Sequence, residues 1–261
     1  MLEKLIEISH LAGDAIMEVY RQTEGQLEID YKEDDSPLTL ADRRAHEVIV
    51  RELQAAFPGI PILSEEGDAA DYETRRSWKE YWIVDPLDGT KEFINRNGEF
   101  TVNIALVRDG ASIAGVVHAP ERKKTYAGDQ DAGIAYVIEP DGKRSDLQVN
   151  HRESGRVAVR SKSHASDEEL GVLDAYKAHD CVSVGSSLKF CLVADGTADV
   201  YYRHGPTMEW DVAAGMAVVQ AAGGHVYHGV GPEPFRLTKP DLLNGSFLCV
   251  GCEPIPIDAA S

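Results

Sequence analysis

The chain has 261 residues, 43% of them hydrophobic and 27% charged, with a formal net charge of −18. This is the make-up of a globular protein with room for one large domain or two compact lobes. It argues against DNA or RNA as the main partner, because a phosphate backbone calls for a basic surface. No apolar run approaches the roughly 18 residues of a membrane-spanning helix. A small phosphorylated ligand stays open, if local cations or bound metal ions reverse the repulsion. The opening MLEKLIEISH lacks the basic-then-apolar layout of a signal peptide, so the expectation is a cytoplasmic protein.

In chain order, apolar residues from Leu2 to Val19 fall at helical spacing, with Gly25 as a stop. QLEIDYKE alternates as a strand does. TLADRRAHEVIVRELQAAFPG reads as a second amphipathic helix, and IPILSEEG and YWIVD as short strands ending in acids. FTVNIALVRDG and ASIAGVVHAP predict a hairpin around Asp109-Gly110, and TYAGDQ and GIAYVIE extend the sheet. From about residue 155 the texture changes. RVAVRS, SDEELGVLDAYKAH and DCVSVG alternate strand, helix, strand. SLKFCLVADGTA reads as a helix, DVYYR as a strand, MEWDVAAGMAVVQAAGG as an Ala-rich helix and HVYH as a strand. The expectation is an N-terminal α+β lobe over 1–154 and a C-terminal α/β lobe over 155–261.

Four cysteines are present, Cys181, Cys191, Cys249 and Cys252. The CxxC spacing of the last two fits redox or zinc chemistry, or small thiols on the late apolar strand SFLCVGC.

The acids fall at element ends. Asp85 and Asp88, in WIVDPLDGT, sit three residues apart around a proline. A turn there could bring both carboxylates together, where they repel unless a divalent cation intervenes. The alternative is an Asp-Pro turn in which Asp88 or Thr90 caps the next helix. Glu65 and Glu66 end another strand, Asp211 opens a helix and suits a capping role, and Asp42 lies in a first helical turn. No zinc-like His/Cys cluster, GxSxG or P-loop pattern accompanies them.

Taken together, WIVDPLDGT, SEEG upstream and WDVAAG downstream resemble the lithium-sensitive, Mg²⁺-dependent phosphatase superfamily of inositol monophosphatase and fructose-1,6-bisphosphatase. The resemblance runs from DDSPLTLAD to WDVAAGMAVVQAAGG. It implies a layered αβαβα sandwich. DGTKEFINRNGEFTVNIALV and GSSLKFCLVADGTADVYYRHGPTMEWD are similar to the 3'(2'),5'-bisphosphate nucleotidases of bacterial sulfate assimilation. Inositol monophosphatases usually carry Thr-Asn-Phe where this chain has Lys91-Glu92-Phe93.

The implied reaction is hydrolysis of the 3'-phosphate of adenosine 3',5'-bisphosphate, with the sulfated nucleotide as a related substrate. The implied ligands of two or three Mg²⁺ ions are Glu65, Asp85, the Leu87 carbonyl, Asp88 and Asp211, with Glu66 outside the ligand shell. Thr90, with Asp42 as acidic partner and with Glu65, would position and deprotonate the attacking water. The N–H groups of Gly89 and Thr90 would hold phosphate oxygens. Lys189 and Arg203 would take the 5'-phosphate, with Ser186 donating nearby and His164 against the nucleotide. A broad inositol monophosphatase-like sugar phosphatase shares the metal site and is the competing reading; a catalytically silent metal-binding scaffold is the other. Peripheral attachment to the inner membrane occurs among such enzymes, but no basic amphipathic helix here argues for it. The motifs carry no information on oligomeric state.

Overall fold

The computed structural model describes residues 1–22, 29–31, 37–160, 167–252 and 255, with backbone alone for 29–31 and 37–38. The chain opens with α1 (Leu2–Gln22), the short pair β1 (Ile29–Tyr31) and β2 (Pro37–Thr39), and α2 (Leu40–Ala56). Then come β3 (Ile62–Ser64), α3 (Tyr72–Arg75), β4 (Glu80–Asp88), α4 (Thr90–Ile94), β5 (Thr101–Arg108) and β6 (Ala111–Ala119). The first half closes with β7 (Lys124–Asp129), β8 (Ile134–Ile138) and β9 (Arg144–Asp146). The second half holds β10 (Val157–Arg160), α5 (Asp167–Ala175), β11 (Asp180–Ser183), α6 (Leu188–Ala194) and β12 (Val200–Arg203). It ends with β13 (Thr207–Met208), α7 (Glu209–Ala221), β14 (His225–His228), β15 (Leu243–Asn244) and β16 (Phe247–Val250).

Two large sheets result. The first runs β3-β4-β5-β6-β7-β8-β9, with β3 and β4 parallel and the rest antiparallel. The second runs β11-β10-β12-β16-β14. Alternation along β4 explains the layers, because successive side chains point to opposite faces of a strand. Trp82 and Val84 join the core under α1 and α2, while Tyr81 and Ile83 join the core shared with α6 and α7. The second sheet repeats the pattern. Tyr201, Phe247 and Cys249 face α6 and α7, and Val200, Tyr202 and Leu248 face Val172 and Leu173 of α5. The order is therefore α1/α2, sheet, α6/α7, sheet, α5, the αβαβα sandwich expected.

The middle layer demands close approach. Every residue of α7 from Val212 to Val219 is buried, as a helix covered on all sides requires. A Cβ on Gly115 of β6 would lie 2.7 Å from the Ala214 carbonyl oxygen, and one on Gly128 of β7 would lie 2.8 Å from the Val218 Cα. Bare backbone at these two points lets the small-residue helix lie directly on the strands.

The expected elements reappear with shifted ends. Gly25, and the parts of the QLEIDYKE strand outside 29–31, lie outside the described residues. The helix expected over 166–179 stops at Ala175, and Lys177 adopts a left-handed φ of 53°. None of the four described cysteines is in a disulfide, and Cys249 and Cys252 are buried. Burial pushes the Cys249 thiol pKa up, so this pair belongs to the strand-core reading.

Between α1 and the first sheet, His10 Nε2 and His118 Nδ1 both meet the Thr125 hydroxyl, at 2.8 and 2.9 Å. Burial, and then the charge of His10, push His118 down to about 3. The unfolded chain binds that proton near pH 6.5. Stability tied to neutral His118 is therefore present above about pH 6.5 and is lost as pH falls toward 3. In His118→Gln, the decline of the urea-unfolding free energy between pH 6.5 and 4.5 should be shallower than in wild type, by up to one proton. An identical slope would refute this account.

Candidate active site

The strand β4 ends in an irregularity that builds the site. Asp85 pairs with Asn103 but Asp88 pairs with Thr101, so three steps on β4 oppose two on β5. In a regular strand, residues three apart point to opposite faces. The extra residue, a β-bulge at Pro86-Leu87, cancels that inversion. Leu87 accordingly joins the α1/α2 core, while Asp85 and Asp88 share the face turned toward α7. The strand does not stop at Asp85 as expected, because the bulged ladder resumes at Asp88.

The carboxyls meet there under strain. Asp85 is 1% exposed. Burial raises its pKa well above the usual value, followed by the negative charges of Glu65, Asp88 and Asp211 and by a hydrogen bond with the Glu65 carboxyl. Two carboxyls in such contact need a proton or a cation between them. Glu65 reaches the spot because its N–H bonds to the Val84 carbonyl at 3.1 Å, continuing the β3–β4 pairing. Burial and then Asp88 push Asp211 up to about 8, against the Met208 N–H and Arg203, which act in the opposite direction.

Each aspartate has one oxygen fixed by local donors. Leu87 N donates to Asp85 Oδ1 at 3.0 Å. Met208 N donates to Asp211 Oδ2 at 2.8 Å, so the helix-start role of Asp211 is real. Asp88 is no helix cap: α4 begins on left-handed Gly89 without a side-chain cap. Asp88 Oδ2 instead accepts from Ser187 N at 2.6 Å, Ser187 Oγ at 2.8 Å and Asn103 Nδ2 at 3.3 Å. Ser187 Oγ also lies 2.8 Å from the Asp211 carbonyl.

Asp42 follows the same rule. It closes a capping box on α2, where Oδ2 accepts from Thr39 N at 2.8 Å and from Thr39 Oγ1 at 2.5 Å. The hydroxyl of Thr90 donates to Asp42 Oδ1 at 3.3 Å and lies 3.5 Å from the Leu87 carbonyl. Burial raises the Asp42 pKa, and the Thr39 bonds restrain it.

Beside the acids lies a cavity of about 210 Å³, lined among others by Asp88, Gly89, Glu92, Lys189, Arg203 and Asp211. Lys189 Nζ donates to the Ser186 carbonyl at 2.8 Å, and its charge sits 5.7 Å from the centre of the Tyr201 ring. Burial lowers its pKa, and Asp88 raises it. Arg203 Nε is buried with no acceptor among the described residues. Ser186 also borders the cavity, but its hydroxyl is directed at the carbonyls of Glu99, 2.6 Å away, and Asp88, 2.8 Å away. That single hydrogen is engaged by these protein carbonyls, so donation to a ligand would require the hydroxyl to turn. Glu66 lies close enough for its charge to raise the pKa of Asp42 and of His46. His164 lies outside the described residues.

Residue types alone did not single out Ser187, Asn103 or Glu92 as parts of the site. Ser187 hides behind Ser186 in GSSLKF, and Asn103 sits in an apolar strand. Alternation along FTVNIALV, combined with the bulge, was the available signal for Asn103.

Among the described residues no three His, Cys, Asp or Glu side chains stand as a closed metal cage. Magnesium needs none, since it keeps several waters and takes one or two carboxylates. Hard oxygen donors, each with one oxygen tied down and facing repulsion from its neighbours, suit that ion.

The sequence model of the inositol monophosphatase family matches residues 1–251, and the chain belongs to that family. It is 47% identical over 249 residues to the 3'(2'),5'-bisphosphate nucleotidase CysQ of Salmonella typhimurium (strain LT2), covering 95% of this chain and 98% of the relative. The same enzyme of Escherichia coli (strain K12) is 46% identical over 247 residues, at 95% and 98% coverage. Among solved structures, CysQ from Bacteroides thetaiotaomicron superposes with a TM-score of 0.83 at 42% identity, covering 97% of each chain. Inositol monophosphatase from Anabaena, 22% identical with a TM-score of 0.73 and coverage of 96% of this chain and 90% of that one, shares the fold. No described helix is long and apolar enough to cross a membrane.

Proposed function

We propose that this chain is a Mg²⁺-dependent 3'(2'),5'-bisphosphate nucleotidase that hydrolyses the 3'-phosphate of adenosine 3',5'-bisphosphate to AMP and phosphate. The sulfated nucleotide is a second substrate of the same kind, and the setting is sulfate assimilation. The nucleotidases named above support this reading. The observation that carries it is that half-buried Lys189 and Arg203, whose Nε has no acceptor among the described residues, line the same cavity as Asp88 and Asp211. A buried donor without an acceptor costs about 1–3 kcal/mol. A second phosphate removes that cost, and Arg suits phosphate because its planar fork matches two oxygens. A sugar monophosphate offers nothing for this end of the cavity.

Glu65, Asp85, the Leu87 carbonyl, Asp88 and Asp211 would hold the metal, as two or three ions. When bound, Mg²⁺ supplies Lewis acidity, making water a better nucleophile and offsetting charge on the phosphoryl and leaving oxygens. The protein supplies the proton path. Thr90 gives its own hydrogen to Asp42, so its lone pairs are left to accept from a water. Asp42, made more basic by burial, draws the proton through that hydroxyl. The N–H groups of Gly89 and Thr90 hold the reacting phosphate, and Lys189 and Arg203 align the other end, which lowers the entropic cost of reaching the transition state. A cytoplasmic setting fits nucleotide chemistry of this kind.

The test is phosphate release from adenosine 3',5'-bisphosphate and from inositol 1-phosphate, with and without Mg²⁺. A higher kcat/KM on the nucleotide is expected; preference for the inositol ester would defeat the proposal. Ser187→Ala removes one of the three donors to Asp88 Oδ2, the Ser187 hydroxyl, and leaves the Ser187 N–H in place. It should raise the Mg²⁺ concentration for half-maximal rate about 10- to 100-fold, with Ser187→Thr partly restoring it. An unchanged Mg²⁺ requirement would sink that role.

A further inference from the structure

Glu92 is an acid in a cavity built for anions. Its half-buried carboxylate lines the same wall as Lys189 and Arg203. Its Oε2 lies 3.2 Å from the point where a Cβ on Gly89 would stand, and its Cγ lies 2.9 Å from the equivalent point on Gly185. The carboxylate is therefore placed between the reacting end, at Asp88 and Gly89, and the cationic end. Lys189 feels its charge, yet the Lys189 ammonium donates to the Ser186 carbonyl instead. Among the described residues the Glu92 carboxylate makes no hydrogen bond or ion pair.

A free carboxylate opposes a doubly phosphorylated ligand by Coulomb repulsion unless it meets a hydrogen-bond donor on that ligand. On the reading proposed above, one phosphate sits at each end, so the sugar must span the stretch beside Glu92. With the 3' and 5' oxygens esterified, the ribose keeps a single donor, its 2'-hydroxyl. We propose that Glu92 accepts a hydrogen bond from the free 2'-hydroxyl, next to the reacting 3'-phosphate at the Gly89 end, and thereby selects ribonucleotides over 2'-deoxyribonucleotides. The acid that weakens the pull on phosphate returns that loss only to a ligand carrying the hydroxyl. A site with a buried acceptor rejects an analogue that lacks the donor, since the acceptor is then left unmatched.

The experiment compares kcat/KM for adenosine 3',5'-bisphosphate and 2'-deoxyadenosine 3',5'-bisphosphate in wild type, Glu92→Gln and Glu92→Ala. Wild type should favour the ribose form about 10- to 100-fold. The preference should shrink in Glu92→Gln, which keeps a neutral acceptor, and approach 1 in Glu92→Ala. A structural role would slow both substrates equally and leave the ratio intact, which overturns the proposal. So does a wild-type ratio near 1, read without any variant. If neither nucleotide is hydrolysed while inositol 1-phosphate is, the nucleotidase reading itself falls, and this inference with it.

Discussion

Asp85→Asn is expected to abolish phosphate release and, in the same molecule, to raise the melting temperature measured in chelator. The two effects have one cause. Asp85 is buried against Glu65, Asp88 and Asp211, and its pKa is raised. For a carboxyl raised in the folded state, stability is present below the unfolded value near 3.9 and is lost as pH rises toward the folded one. At pH 7 the site therefore works against the fold. The amide keeps the shape, and its oxygen can still accept from Leu87 N. Removing the charge should gain about 1–2 kcal/mol, in the range of ordinary stabilising changes, or roughly 2–8 °C for a chain of this length. Wild type should instead gain stability on adding Mg²⁺, because a ligand that binds only the folded state stabilises it. The variant should lose that response. Scanning calorimetry with and without Mg²⁺ reads both. A variant less stable than wild type in chelator, or one that keeps its rate, would remove Asp85 from the centre of the site.

Arg203→Ala should lower kcat/KM on adenosine 3',5'-bisphosphate by about 10²-fold, as expected when a buried, charge-assisted hydrogen bond is removed. On adenosine 3'-monophosphate the same change should cost less than about 5-fold, since that substrate has no second phosphate to lose. Most of the effect belongs in KM, because the 5'-phosphate is gripped in the ground state as well as at the transition state. Arg203→Lys should recover only part, as a point charge cannot reproduce the fork. Equal losses on both substrates would mean that Arg203 supports the acids through its charge on Asp211 and does not read the 5'-phosphate.

The strand and helix periods of the sequence carried most of the elements, whereas the five-layer order was implied only by the family resemblance. The run Tyr81 to Val84 read as a strand, and the structure shows Tyr81 and Ile83 covered on one face and Trp82 and Val84 on the other. The elements that escaped are short: α3, α4 and β9 span 4, 5 and 3 residues, too few for a period to register. In the site, Asp85, Asp88 and Asp211 stood out as acids at element ends. What joins them did not. Residues three apart on a strand should diverge, and only the pairing of β4 with β5 shows the extra residue that reverses this. Ser187 and Asn103 escaped because their role depends on a hydrogen bond between residues 84 positions apart. The cap readings of Asp42 and Asp211 and their site readings also proved compatible, since a carboxylate has two oxygens and one suffices for the helix.

The helix α7 is a party wall. It closes the first sheet on one side and the second on the other, and its opening turn carries Asp211 into the acids borne by β4. Melting either sheet would strip one side of that wall bare, so the two sheets are expected to unfold together. If these acids hold the cation as proposed, loading it should consolidate both sheets together, and a chelating agent should lower the melting temperature of the whole molecule.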